Sequence, residues 1–347
     1  GGGGGGGGGA ETSAVPSPMP PTAMVAAPTL ATPAECADSV PLDGLTMVVT
    51  GGASGIGKSI VLSAASKGCH VIYVDARDAP LEGGPTTATA AKGLRGEVLF
   101  LQGDVTVKAQ LERAALLAFE RWGRLDCWVN NAALDLTDPP HALEQRLTAT
   151  TLEQFERVQR VNTTGYFLGA QVAVERFLKQ APRAAVGVRG KLINISSQHG
   201  MVACPGNLPY GLSKAAAVYM TKQIAVEYAH ALPARLHPAA RDSTSAFSCR
   251  HPAASNNRTL MRYLLISCVC TACSYANDLI TCNAVAPGKI VKDPAHPVAP
   301  YSYARTPCAR LGTPSDVASA VCWLASDEVG SYMTGHNLNM DGGWMAY

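Results

Sequence analysis

Met47-Val48-Val49-Thr50-Gly51-Gly52-Ala53-Ser54-Gly55-Ile56-Gly57 is the stretch that decides how this chain folds. A short apolar run stops at Thr50, glycines follow, and Lys58 to Ser66 carries helical periodicity. The next apolar run is Val71-Ile72-Tyr73-Val74, closed by Asp75. Strand, glycine turn, helix and strand within about 30 residues make a βαβ unit. Glycine permits the tight turn and lets backbone N–H groups approach an anion at the positive end of the helix.

The alternation continues outward from that unit. Strands are expected at Val98–Leu101, Leu125–Val129, Lys191–Ile195 and Ile280–Val285. Helices are expected at Ala109–Trp122, Thr151–Leu178, Leu212–Ala229 and Pro314–Ala325, the last with proline at its start. Strands alternating with helices imply a parallel sheet covered on both faces. Six or seven strands make the doubly wound α/β dinucleotide-binding (Rossmann) fold the economical choice, as a single domain over residues 42–347.

Composition narrows the partners. Of the 347 residues 47% are hydrophobic and 16% charged, enough for a large core, and a net charge of +2 points to neither nucleic acid nor an anionic membrane. No segment has the roughly 18 to 20 apolar residues that span a bilayer. The first 41 residues open with nine glycines and continue rich in Ala, Pro, Thr and Ser. They contain no Lys or Arg, which both a secretory and a mitochondrial leader need, so this tail reads as disordered and the protein as cytoplasmic. Eleven irregularly spaced cysteines read as free thiols in a reducing compartment. The group Cys268, Cys270 and Cys273 has no matching second half, so no metal site is expected.

Chemistry gathers at a few positions. Asp75 stands 18 residues beyond Gly57 at a strand end, where a carboxylate accepts from ribose hydroxyls and repels a 2′-phosphate. NAD is therefore expected, although Arg77 close by leaves NADP open. Tyr210 and Lys214 lie four apart at a helix start, on one face. An ammonium beside a phenol is expected to lower its pKa toward a range useful for proton transfer. Such pairs are common on ordinary helix surfaces, and what separates this one is its setting. Ser197 closes the strand Lys191–Ile195, thirteen residues before Tyr210, with its hydroxyl at the crevice.

With Asn162, these residues resemble the active site of the short-chain dehydrogenase/reductase family. The resemblance runs from Leu42 to Trp344 apart from one segment. Thr50, Gly51, Ser54, Gly55, Ile56 and Gly57 match the family's cofactor turn, and Asp104-Val105 the pair bordering the adenine. Asn130-Asn131-Ala132-Ala133 resembles Asn-Asn-Ala-Gly, with Ala133 replacing the glycine. Asn283 to Gly288 resembles the segment flanking the nicotinamide, and Arg310-Leu311-Gly312 and Thr334 to Gly343 the C-terminal signature. The resemblance implies a catalytic tetrad of Asn162, Ser197, Tyr210 and Lys214. It further implies cofactor contacts from Asn131, Ala132, Tyr210, Lys214, Pro287, Gly288 and Ile290. Lys292 stands where members usually carry a threonine for the nicotinamide carboxamide, which moves that duty to the backbone around Ile290.

The activity implied is hydride transfer between NAD(H) and the CH–OH or carbonyl group of a small substrate: a sugar, polyol or secondary alcohol. The alternatives are a 3-oxoacyl thioester reductase using NADPH and a non-catalytic nucleotide-binding protein. The pocket rim is expected at Gln198, His199, Met201, Cys204, Asn207 and the loop from Lys289 to Thr306.

The segment of about 47 residues from 230 to 276 fits no period, and structureless loops of that length are uncommon in a compact domain. Its removal joins Val226-Glu227-Tyr228-Ala229 to Asn277-Asp278-Leu279-Ile280 as an uninterrupted family-like sequence. It reads as translated intron, the alternative being a genuine insertion. A homodimer or homotetramer is expected unless this segment blocks it.

Overall fold

Strand β1 (Thr46–Thr50) lies buried along its whole length at the centre of the sheet. A computed structural model describes residues 1–3, 40–135, 146–229, 278–292 and 300–346. Residues 4–39 of the tail, the segment 230–276 and the cysteines at 268, 270 and 273 lie outside them.

Seven strands form one parallel sheet in the order β3-β2-β1-β4-β5-β6-β7. They are β1, β2 (His70–Asp75), β3 (Val98–Gln102), β4 (Cys127–Asn130), β5 (Gly190–Ile195), β6 (Ile280–Pro287) and β7 (Asn337–Met340). The order reverses between β1 and β4, which opens a crevice at their carboxyl ends.

Alternation along β1 assigns the two layers. Met47 and Val49 face a core shared with α1 (Gly55–Ser66), where Ile60, Val61 and Ala64 meet Val317 and Val321 of a C-terminal helix. Val48 faces the opposite core with Leu111, Trp128, Phe177 and Leu192. That second face is covered by α3 (Lys108–Trp122), α5 (Gly165–Leu178) and α6 (Leu208–Tyr228), counting the one-turn helix Thr87–Ala90 as α2. The C-terminal helix Pro314–Ala325 keeps the expected bounds, with Thr313 and Asp316 forming a capping box before it.

Two helices depart from expectation, both at the site. The expected helix Thr151–Leu178 is capped by Thr151 and is broken into α4 (Leu152–Gln159), a π-helical turn at Arg160–Thr164, and α5. Helix α6 starts at Leu208, four residues earlier than expected, because Pro209 tolerates a first-turn position. Tyr210 therefore sits inside that first turn.

Candidate active site

The glycine turn is built by exclusion. Gly51 and Gly55 have φ of +68° and +52°, a region glycine adopts without strain. A Cβ on Gly51 would stand 2.7 Å from Ala132 Cα, and one on Gly57 2.0 Å from Gly51 O. Thr50 is buried beneath the turn: its hydroxyl donates to Val129 O and accepts from the N–H groups of Asn131 and Ala132. The Asn131 amide donates to Thr50 O and Gly51 O. Thr50 and Asn131 thus fix the turn from below. Thr87, on α2, pins it further by donating to Gly52 O.

Asp75 ends β2 beside this turn and accepts from Ala53 N–H at 3.1 Å and Arg77 N–H at 3.4 Å. The loop beyond it folds back over the turn. Leu81 N–H donates to Ser54 Oγ, and Gly55 N–H donates to Glu82 Oε1 at 3.1 Å. Nothing in the Gly/Pro-rich sequence around Glu82 marked it. Asp104 accepts from Thr106 N–H, while Val105 is buried against Gly165.

Across the crevice, β6 delivers Pro287 and Gly288, and Gly288 N–H donates to Met340 O. Ile290 bridges Gly312, whose N–H donates to Lys289 O and whose carbonyl accepts from Val291 N–H. In a parallel bridge of this kind the N–H and C=O of Ile290 itself point to the other side. Asn283 anchors the C-terminal signature by donating to Met333 O and accepting from His336 N–H. Ala133 is exposed, so its extra methyl meets no crowding.

The catalytic candidates meet at the carboxyl end of β5. Ser197, two residues past the strand, caps a short 3-10 turn by accepting from His199 N–H. Lys214 is buried, with its Nζ 5.5 Å from the Tyr210 ring centroid, and it donates to Ile195 O at 2.7 Å and Tyr166 Oη at 3.1 Å. Tyr166 itself donates to Ile195 O. It is a functional residue the sequence reading missed, and its signal was its place one turn after Asn162. Asn162 sits in the π turn, where such irregularities frequently mark functional sites. Its amide binds both backbone groups of Leu134 and donates to Ser213 Oγ.

One electrostatic expectation is corrected. Lys214 does not lower the pKa of Tyr210 here. Burial, reinforced by the Asp135 carboxylate and opposed by the Ser197 hydrogen bond, raises it well above the usual phenol value. Burial and the Lys292 charge instead bring Lys214 down to about 7, against the pull of Asp135. The ammonium donates to Ile195 O and Tyr166 Oη rather than to the Tyr210 hydroxyl. Asp135, like Glu82, carried no sequence signal, and it acts on both groups and on His199.

A cavity of about 320 Å³ adjoins Tyr210 through His199 and Gly211. His199, Met201, Cys204 and Asn207 line it as expected, together with Leu147 and Leu212. Gln198 lies buried and does not line it. Part of the expected rim, residues 293–299, is outside the described residues. Among the described residues no group of three metal-ligating side chains occurs, and no helix is long and apolar enough to cross a membrane.

A glycine turn at a switch point, a strand-end carboxylate and a Ser-Tyr-Lys cluster together define a dinucleotide-dependent oxidoreductase. Comparison with known proteins makes this specific. The family described as "short chain dehydrogenase" matches residues 45–232, and that described as "Enoyl-(Acyl carrier protein) reductase" matches residues 259–345. The chain is 28% identical to "3beta-hydroxysteroid dehydrogenase 1" of Eggerthella lenta, covering 88% of this chain and 95% of that one. It is also 28% identical to "Glucose 1-dehydrogenase 2" of Bacillus subtilis, over 88% of this chain and 96% of the relative. A short-chain type dehydrogenase/reductase from Mycobacterium marinum shares the fold at a TM-score of 0.63 and 24% identity, over 88% and 97% of the two chains. The chain belongs to the short-chain dehydrogenase/reductase family. It is an NAD(P)-dependent oxidoreductase that transfers hydride to or from CH–OH and carbonyl groups.

Proposed function

We propose that this enzyme uses NAD to interconvert a small secondary alcohol and its ketone, with Tyr210 as acid/base. The observation that carries the reading is the cluster in which buried Ser197 and Lys214 gather around half-buried Tyr210, Lys214 Nζ lying 5.5 Å from its ring. The cradle fits a dinucleotide: Gly51 and Gly57 leave room for backbone alone, and a Cβ on Gly55 would enter the crevice. A bound nicotinamide supplies the hydride acceptor or donor.

The chain's own residues handle the proton. Ser197 orients the substrate oxygen, and Tyr210 takes its proton in oxidation or returns it in reduction. Lys214, at about 7, exchanges a proton near neutrality and binds the nicotinamide ribose. Asn162 holds the loop after β4 against α6 and positions the relay to solvent. Gly51, Ser54, Ile56, Asp104, Ala132, Pro287 and Gly288 border the dinucleotide, and the outward backbone of Ile290 holds the carboxamide.

NAD is favoured over NADP because the Asp75 carboxylate stands at the end of β2 beside the glycine turn, where it would repel a 2′-phosphate. Leu147, Met201 and Leu212 give the cavity apolar walls, which favour a secondary alcohol with an apolar body over a free sugar. The enzyme works in the cytosol as a homodimer or homotetramer. On α6 Leu208, Leu212, Tyr219 and Val226 form an exposed apolar stripe fit for pairing with a second copy.

A turnover panel of secondary alcohols, ketones and polyols, each with NAD and NADP, tests the proposal. Faster turnover with NAD on alcohols bearing an apolar group is expected. NADP preference, or activity confined to polyols, contradicts it.

A further inference from the structure

The chain leaves β6 at Pro287, and the bridge between Ile290 and Gly312 holds it in place through Val291. Lys292 follows at once, and its side chain runs across the crevice to the opposite wall. A Cβ built on Gly55 would stand 3.4 Å from Lys292 Cδ, 3.7 Å from Cγ and 3.8 Å from Cε. The whole alkyl stem therefore lies over the residue that opens α1, and its exposed ammonium extends one bond beyond.

Charge at this turn makes the placement meaningful. The first N–H groups of a helix have no intrahelical partner and attract anions, and here Lys58 N–H is the first to bond back, to Ser54 O. One of the earlier groups, Gly55 N–H, is already bound to the Glu82 carboxylate. That negative charge weakens the turn's attraction for a phosphate. Lys292 restores it from the other wall. Its ammonium makes no hydrogen bond or ion pair with another described residue, and its charge is felt at Lys214. A lysine binds phosphate as a strong point charge, which the hydroxyl of a threonine cannot match.

We propose that Lys292 binds the diphosphate of the dinucleotide, closing over the glycine turn an anion site that Glu82 alone would leave too negative. The inference rests on the nucleotide-binding reading above and assigns Lys292 a duty at the phosphates rather than at the carboxamide.

Two titrations of the full chain test it: NADH by fluorescence, and ADP-ribose, which lacks the nicotinamide, by calorimetry. Lys292→Met weakens both by about tenfold, the scale of one charge-assisted hydrogen bond. Lys292→Arg restores both, and the methionine variant loses affinity less steeply as salt rises. Two results overturn the inference while sparing the nucleotide reading: ADP-ribose affinity unchanged within about twofold in Lys292→Met, or a loss confined to NADH. Wild-type protein that binds neither ligand overturns the nucleotide reading and the inference with it. Lys292 is exposed, so thermal melting of the variants stays at the wild-type temperature and separates binding from folding.

Discussion

Lys214 shows what a single buried residue costs and contributes. Its ammonium is enclosed, tied to Ile195 O and Tyr166 Oη, and its pKa falls to about 7. Between that value and the ordinary lysine value the unfolded chain binds the proton that the folded chain releases. Stability attributable to Lys214 therefore rises with pH across that window, and below it the buried charge is a full penalty. Lys214→Met is expected to raise unfolding stability at neutral pH by a few kcal/mol, roughly, and to flatten the rise toward alkaline pH. Urea denaturation at a series of pH values checks this. A methionine variant less stable than wild type at neutrality would contradict it. The same substitution abolishes turnover, so stability and activity move in opposite directions at this position. The sequence made the Tyr210–Lys214 pair visible through its setting beside Ser197 and Asn162, the spacing alone being commonplace. It could not reveal the direction of the shifts, because burial and the Asp135 carboxylate come from distant parts of the chain.

At the scale of elements, most boundaries were legible because apolar runs and caps write them locally. β2, the helix Pro314–Ala325 and the cap at Thr151 all follow their sequence signals. The π turn at Arg160–Thr164 does not, since no residue there breaks helical periodicity. It is stabilised from outside, by the Asn162 amide bound to Leu134 and Ser213. Asn162→Ala leaves the two part-buried Leu134 backbone groups without that partner, and each such loss costs about 0.5–1.5 kcal/mol. We expect lower stability in urea and a fall in kcat larger than any change in KM, because the loop after β4 is released beside the site. Retention of full kcat would show that the turn holds itself without the side chain. Glu82 and Tyr166 were missed for a related reason: each acts through a contact that only the folded sheet creates.

For the molecule as a whole, the order β3-β2-β1-β4-β5-β6-β7 brings residues separated by more than 200 positions to one crevice. The glycine turn comes from the β1 end, Ser197 and Tyr210 from β5 and α6, and Ile290 and Lys292 from beyond β6. The order of motifs along the chain foretold that assembly, because a doubly wound parallel sheet places every strand's carboxyl end on the same edge. Helix α6 ends and β6 begins at the other edge, and the two family matches stop and resume on either side of residues 233–258. The central claim is that Tyr210 carries the proton while the surrounding cradle holds the cofactor. It is tested most directly by comparing wild type and Tyr210→Phe, each in NADH binding by fluorescence and in NADH oxidation with a ketone panel. The account predicts unchanged NADH affinity and a loss of roughly 10²–10⁴-fold in turnover for the phenylalanine variant. Turnover by Tyr210→Phe at the wild-type rate, or wild type that binds NADH and turns over no ketone, would contradict it.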